Sequence, residues 1–332
     1  MIHTIPYFDA HCDTIAAIAR HGGGLLRNHY PVDLERLGAY APRAQVFALF
    51  GNIGARMQAS CKTEQEFLDR VLAGEVVPDE NASALYQKLL STFQNCMNEN
   101  AGRVLHCRTA ADIDRAAREG KTAALLAIEG AELLYGLTPD DAYRDGVRIV
   151  TLTWNYANHL GGSCVTGGGL TEAGRAFVRR ANTLGMVIDV SHGSDELFFD
   201  VAETSSAPFL ASHSNSRSVH PHRRNLTDEQ FRMLVKKGGV AGINLYAAFL
   251  SDGTCRISNV IRHIEHFLSL DGEGSVCLGG DLDGCQDLPE GIAGVQDIFR
   301  LADELARLGY ADSLIHDIFY NNLSRVLRAV IG

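Results

Sequence analysis

Eight short runs of apolar, β-prone residues recur along the chain with helical segments between them, and that alternation leaves few folds open. The runs are Ile5–His11, Ala44–Phe50, Thr122–Glu129, Val147–Trp154, Met186–His192, Pro208–His213, Val240–Tyr246 and Ser275–Asp281. Continuous hydrophobicity, as opposed to strict alternation, marks strands buried on both faces, as in a parallel sheet. Helical patterns occupy Thr63–Gly74, Leu85–Met97, Ala110–Glu119, Thr171–Leu184, Asp195–Ala202, Thr227–Lys237, Val260–Leu270 and Val295–Leu308. Thr227-Asp-Glu-Gln230 has the form of a capping box, and Gly185, Gly238 and Gly309 follow helical stretches where a left-handed residue closes the last turn. Repeated β and α units fit an open doubly wound sheet or a closed barrel; eight units in 332 residues favour closure. The expectation is therefore an α/β fold of the (β/α)₈ TIM-barrel type, one domain over 1–332 with a helical insertion at about 52–105. The glycine-rich stretch His159–Leu170 predicts a mobile loop over the strand ends, and no glycine cluster fits a nucleotide-binding motif.

Composition narrows the function classes. With 46% hydrophobic residues the chain can bury a full core, and a formal charge of -10 would repel a phosphate backbone. The basic run His220 to Arg224 is too short for a nucleic-acid footprint, so no nucleic acid is expected as a partner. The start MIHTIPYFDAHCDT lacks the pattern of a secretory signal, and no segment holds 18 consecutive apolar residues; a cytoplasmic protein without membrane contact is expected. Eight cysteines without a C-x-x-C pair are read as reduced thiols.

What terminates each apolar run is more informative. His11 and Asp13 follow the first run, Glu129 the third, His192 the fifth, His213 the sixth and Asp281 the eighth. In a barrel the carboxyl ends of the strands converge on one mouth, so residues about 270 positions apart become neighbours. Three imidazoles with two or three carboxylates match the donors of Zn²⁺ or a similar divalent ion, and five ligands exceed what one catalytic ion needs. Glu129 can bridge two ions, with His11 and Asp13 completing one site and His192 and His213 the other. One histidine among thirteen is by itself more often packed or solvated than a ligand, and Asp-Leu-Asp-Gly is ordinary turn chemistry. Joint placement at strand ends carries the reading. Cys12, between two proposed ligands, points the other way and packs. The polar stretch His213–Asn225 adds arginines whose planar fork suits a carboxylate.

Around these residues the sequence resembles the membrane (renal) dipeptidase family of the amidohydrolase superfamily. The resemblance runs through Asp9-Ala-His-Cys-Asp13, Ile128-Glu-Gly130, Thr151-Leu-Thr153, Gly169-Leu-Thr-Glu-Ala-Gly174, Ile188-Asp-Val-Ser-His192, Ala211-Ser-His-Ser-Asn-Ser-Arg217, Arg224-Asn225, Gly242-Ile-Asn-Leu-Tyr246 and Gly279-Gly-Asp-Leu-Asp-Gly284. It implies a barrel with two zinc ions held by His11, Asp13, Glu129, His192 and His213. It further implies Arg224 on the substrate's terminal carboxylate, Tyr246 near the scissile group, and Asp281 as proton shuttle with Asp283 as second choice. Two positions depart from the pattern. Trp154 stands where the family often has a histidine, with Asn155, Asn158 and His159 as replacements for its role or Trp154 itself as a pocket wall. Cys12 stands where asparagine is common. The resemblance points to an intracellular bacterial-type relative.

The expected activity is hydrolysis of short dipeptides, L,D-dipeptides among them, by a metal-activated water. An N-acyl amino acid deacylase or other small-amide hydrolase would use the same ions, and a non-catalytic metal-dependent sensor is the alternative of a different class. The expected partner is a small-molecule substrate, and a homodimer is admitted.

Overall fold

The computed structural model describes residues 5–52, 60–63, 66, 67, 69, 70, 73 and 82–332. Its strands, in chain order, are β1 (Tyr7–Cys12), β2 (Arg43–Phe50), β3 (Val104–His106), β4 (Thr122–Glu129), β5 (Val147–Thr151), β6 (Val187–Asp189), β7 (Leu210–Ala211), β8 (Val240–Ile243) and β9 (Val276–Leu278). Pairing runs from β1 through β2, β4, β5, β6, β7, β8 and β9 and returns to β1, every pair parallel. That is a closed eight-stranded (β/α)₈ barrel, so the open sheet is excluded. β3 is additional: three residues that pair with the first three of β4, too short a run to stand out in the sequence.

The expected strands have their centres in place, but several are shorter than their apolar runs. β6 stops at Asp189 and β7 at Ala211, leaving His192 and His213 on the turns that follow. The physical reason is that polar residues at the mouth leave the ladder to reach one another, so hydrophobic continuity overestimates the hydrogen-bonded length.

Helices sheath the barrel much as expected. The capping box at Thr227 is formed with Gln230, and Gly185, Gly238 and Gly309 all take left-handed φ. Helix Ala82–Glu99 buries Tyr86, Leu89, Leu90, Phe93, Cys96 and Met97 along one stripe. The helix expected at Thr63–Gly74 and much of the insertion around it lie outside the described residues. A carboxyl-terminal helix, Asn322–Ile331, follows the expected elements and packs Leu323, Val326 and Leu327 with Phe8, Ala10, Val46 and Leu125 of the strands. On β1 the alternate residues turn inward: Tyr7 donates to Gln45 Oε1 at 3.0 Å, and Asp9 accepts the backbone N–H groups of His11 and Gly280 at 2.9 and 2.8 Å. Asp9 thereby ties β1 to the segment after β9, directly beneath the mouth. Among the described residues no helix is long and apolar enough to cross a membrane.

Candidate metal centre

His11 lies within β1, Glu129 is the last residue of β4, and Asp13, His192, His213 and Asp281 follow strand ends, so one mouth receives all six. Their ligand atoms meet. His11 Nε2 is 3.7 Å from Asp13 Oδ2, 3.6 Å from Glu129 Oε2 and 4.0 Å from Asp281 Oδ1. Across the same carboxylate, His192 Nε2 is 2.9 Å and His213 Nε2 3.5 Å from Glu129 Oε1. Glu129 thus has one oxygen toward His11 and the other toward His192 and His213. Two overlapping sets have ligand atoms within 4.8 Å of one another: His11 with Glu129 and His213, and His11 with Asp13 and Asp281.

The turns that present these side chains are held in unusual backbone conformations. His192, Asp281 and Asp283 have φ of 67°, 55° and 70°, a region that costs a non-glycine residue roughly 1–2 kcal/mol. Gly284 closes the Asp-Leu-Asp-Gly turn because a Cβ there would collide with the carboxylates of Asp13 and Asp281. Strain of this kind persists where surrounding contacts fix it, and here it turns His192 and Asp281 toward the same centre.

Hydrogen bonds behind the imidazoles fix which nitrogen faces the centre. Ser212 Oγ is 2.6 Å from Asp189 Oδ2 and 2.7 Å from His213 Nδ1. A carboxylate only accepts, so the single hydroxyl hydrogen goes to Asp189 and Oγ accepts from His213 Nδ1–H. His213 Nε2 is left with its lone pair at the centre. Asp189 is itself buried and further held by Thr151 Oγ1 at 2.6 Å and the Ser191 and Ser212 N–H groups at 3.0 and 2.8 Å. Likewise His192 Nδ1 is 2.9 Å from Asn155 Oδ1, an acceptor, which leaves Nε2 bare toward Glu129. A neutral imidazole nitrogen 2.9 Å from a carboxyl oxygen needs a proton or a cation between them; the raised Glu129 carboxyl supplies the proton when no metal is bound, and a divalent ion can replace it.

The electrostatics agree. Burial holds the His192 and His213 imidazoles well below their ordinary pKa, with the Arg224 and His11 charges adding to it, so both are neutral at neutral pH, the form in which an imidazole can take a metal. Burial, then the Asp13 charge, pushes the Glu129 carboxyl up to about 8. Burial disfavours the His11 cation, but the Glu129 and Asp13 carboxylates outweigh it and raise its pKa well above the usual value. Buried polar atoms without a hydrogen-bond partner include His11 Nε2, His213 Nε2 and Asp13 Oδ1, three of the atoms a cation would take. Buried polar atoms without partners are costly, and a divalent ion taking the place of the His11 proton satisfies them together. The residues present fit such a group.

Above the ligands a cavity of about 570 Å³ is lined in part by Trp154, Asn155, Tyr246, Phe249 and Asp281. Asp281 Oδ2 accepts from Asn244 Nδ2 at 3.0 Å, and burial raises its pKa to about 6. Asp283 stands apart, its Oδ2 taking the Thr14 hydroxyl at 2.5 Å, and burial raises it to about 7. Arg224 is buried beside His213: Nη2 is 3.4 Å from the His213 carbonyl, the guanidinium carbon 5.4 Å from the Phe249 ring centroid, and Nε has no partner. Of the arginines in the polar stretch, Arg217 is instead committed to Asp195 through paired bonds of 2.8 and 2.7 Å. The loop expected to be mobile is tied down beside His192: Cys164 N–H donates to the His192 carbonyl at 2.7 Å and Ser163 bridges Gly193.

The profile of the membrane dipeptidase family, peptidase family M19, matches residues 1–331. The chain belongs to that family. It is a metallo-dipeptidase, with a structural match at TM-score 0.84 to the dipeptidase AC, a metallopeptidase of family M19, at 28% identity over 99% of each chain. A second match, at TM-score 0.82 and 29% identity over 98% of this chain and 99% of the other, is a metallopeptidase from Rhodobacter sphaeroides liganded with a phosphinate mimic of the dipeptide L-Ala-D-Ala. An uncharacterised protein in the pqqA 5' region of Klebsiella pneumoniae is 37% identical over 270 residues, 76% of this dipeptidase and 98% of that protein.

Reading the sequence missed the dipeptidase's supporting groups Asp189, Ser212 and Asn244. The signal was there for two of them: Asp189 ends a strand three positions before His192 and Ser212 stands one position before His213, whereas Asn244, just beyond β8, has no proposed ligand near it in sequence. Asn155, expected to touch substrate, lines the cavity and also supports His192.

Proposed function

We propose that this dipeptidase holds two divalent ions, zinc foremost, and hydrolyses the peptide bond of dipeptides with a free carboxylate, including those with a D-residue at the carboxyl end. The observation that carries the two-ion reading is Glu129, whose two oxygens face different imidazoles at 3.6 and 2.9 Å. His11 and Asp13 would hold one ion and His192 and His213 the other, with Glu129 shared. The ions would supply a water of lowered pKa and polarise the scissile carbonyl.

This chain's own groups do the rest. Asp281, raised to about 6 and lining the cavity, takes the proton of the attacking water and delivers it to the departing amine, which must be protonated as the C–N bond breaks. Arg224 holds the terminal carboxylate with the donors His213 leaves free, which fixes the distance from that carboxylate to the cleaved bond and selects two-residue substrates. Tyr246 lines the cavity near the scissile group. The dipeptide mimic bound to the Rhodobacter sphaeroides relative supports including L,D-dipeptides among the substrates.

Elemental analysis and turnover of matched L,L- and L,D-dipeptides beside N-acyl amino acids test this reading. Two ions per chain and cleavage of L,D-dipeptides are expected. Glu129→Gln should lower bound metal and reduce turnover by about a hundredfold or more while the circular dichroism spectrum is retained. Full activity with one ion, or cleavage confined to N-acyl amino acids, would overturn it.

A further inference from the structure

The cavity has one wall that the dipeptide chemistry does not explain. Trp154 is half-buried, faces the cavity, and is wedged between two rings, with centroids 5.0 Å from Phe50 and 5.0 Å from Tyr156. Its ring lies 6.0 Å from that of His192, so this surface begins where the ligand set ends. The wedge leaves the indole little freedom to turn away. Tyr156 is anchored behind it by a 2.7 Å bond from its hydroxyl to Asn52 Oδ1.

We propose that Trp154, braced by Phe50 and Tyr156, receives the side chain of the substrate's amino-terminal residue and makes the enzyme selective for dipeptides in which that residue is large and apolar, such as leucine, methionine or phenylalanine. This rests on the dipeptide reading above. In that reading the carboxyl-terminal residue is drawn toward Arg224, which packs on Phe249, the partner of Tyr246 at 4.8 Å. The attacked carbonyl lies over the ligands. We place the side chain one bond from that carbonyl on the indole, the apolar face among the groups beside His192, whose other neighbours include the polar Asn155 and Arg224. An aromatic face rewards apolar area and offers no partner to a carboxylate or hydroxyl laid on it, which would have to reach Lys62 or Thr63 elsewhere on the cavity lining to be compensated. Glycine or alanine at this position leaves the wall uncovered.

The test uses the full-length, zinc-loaded protein and dipeptides that differ only in the amino-terminal residue: leucine, phenylalanine, alanine, glycine and aspartate, each joined to the alanine enantiomer that is cleaved. Leucine and phenylalanine substrates should exceed the alanine substrate by about tenfold or more in kcat/KM, with aspartate lowest. Trp154→Phe should keep most of that ratio and Trp154→Ala should reduce it to about threefold or less. Trp154→His, which keeps a ring of moderate size and removes the apolar face, should lower the ratio as well and serves if the alanine variant does not fold. Because Trp154 is the only tryptophan in the chain, its emission reports the wall directly. A phosphinate analogue with a leucine side chain at the amino-terminal position should shift that emission to shorter wavelength, and the glycine analogue should not. Equal kcat/KM across the series, a preference for glycine or aspartate, or an unchanged ratio in Trp154→Ala would overturn the proposal. If no dipeptide is cleaved, the dipeptide reading fails separately, and saturating binding of the leucine analogue without change in emission would overturn the wall itself.

Discussion

Ser212 Oγ accepts the Nδ1 proton of His213 across 2.7 Å while giving its own hydrogen to Asp189 at 2.6 Å. The pair converts a buried serine into a fixed acceptor and sets the tautomer of an imidazole whose other nitrogen faces Glu129 at 3.5 Å.

Ser212→Ala removes that acceptor and leaves His213 free to carry its proton on Nε2. Metal affinity should fall by about 10- to 100-fold, the range for loss of a group supporting a metal-bound histidine. Ser212→Thr keeps the hydroxyl and should keep most of the affinity. Competition with a zinc-binding dye reads both; unchanged affinity in the alanine variant would remove the tautomer role.

Arg224→Met should raise KM by about 10- to 100-fold for dipeptides with a free carboxylate, as expected for loss of hydrogen bonds to a charged group. It should change kcat/KM for the carboxyl-amidated dipeptide by far less. Steady-state kinetics on the matched pair checks this, and equal losses on both would show Arg224 to be structural.

The metal-free protein should lose stability as pH rises from about 6.5 to about 8. Burial raises Glu129 to about 8 and Asp283 to about 7, both above their unfolded values, so the folded state holds these protons longer and is favoured below that range. His11, also raised, acts in the same direction. His192 and His213 are lowered, and their contribution is complete above the ordinary histidine pKa, so they do not oppose the trend in this window. Calorimetric Tm in chelator should therefore decline across it, and zinc, which favours the ionised carboxylates, should flatten or reverse the decline. A Tm that rises with pH in chelator would contradict these shifts.

The barrel and the neighbourhood of the candidate ligands were legible in the sequence for local reasons. Continuous apolar runs at regular spacing specify buried parallel strands, and a polar donor at the end of such a run must either reach the mouth or be buried unpaired. His11, Asp13, Glu129, His192, His213 and Asp281 carry that signature without any knowledge of their partners. The resemblance to the dipeptidase family rests on the same short segments, which is why ligand positions and family were read together.

Tertiary structure alone decided how those residues are used. Nothing local to Ser212 says that its proton goes to Asp189, 23 residues away, or that Asn155 stands behind His192, 37 residues away. Asp281 and Asp283 are nearly equivalent in sequence, yet one faces the cavity and the other is bound to Thr14, 269 positions distant. Arg217 and Arg224 share one polar stretch, and only the fold gives Asp195 to the first and leaves a buried nitrogen of the second unpaired. The period and polarity of a strand are set by its own residues. Hydrogen-bond partnership is set by which strand ends the closed barrel brings together, and that information is not in any one of them.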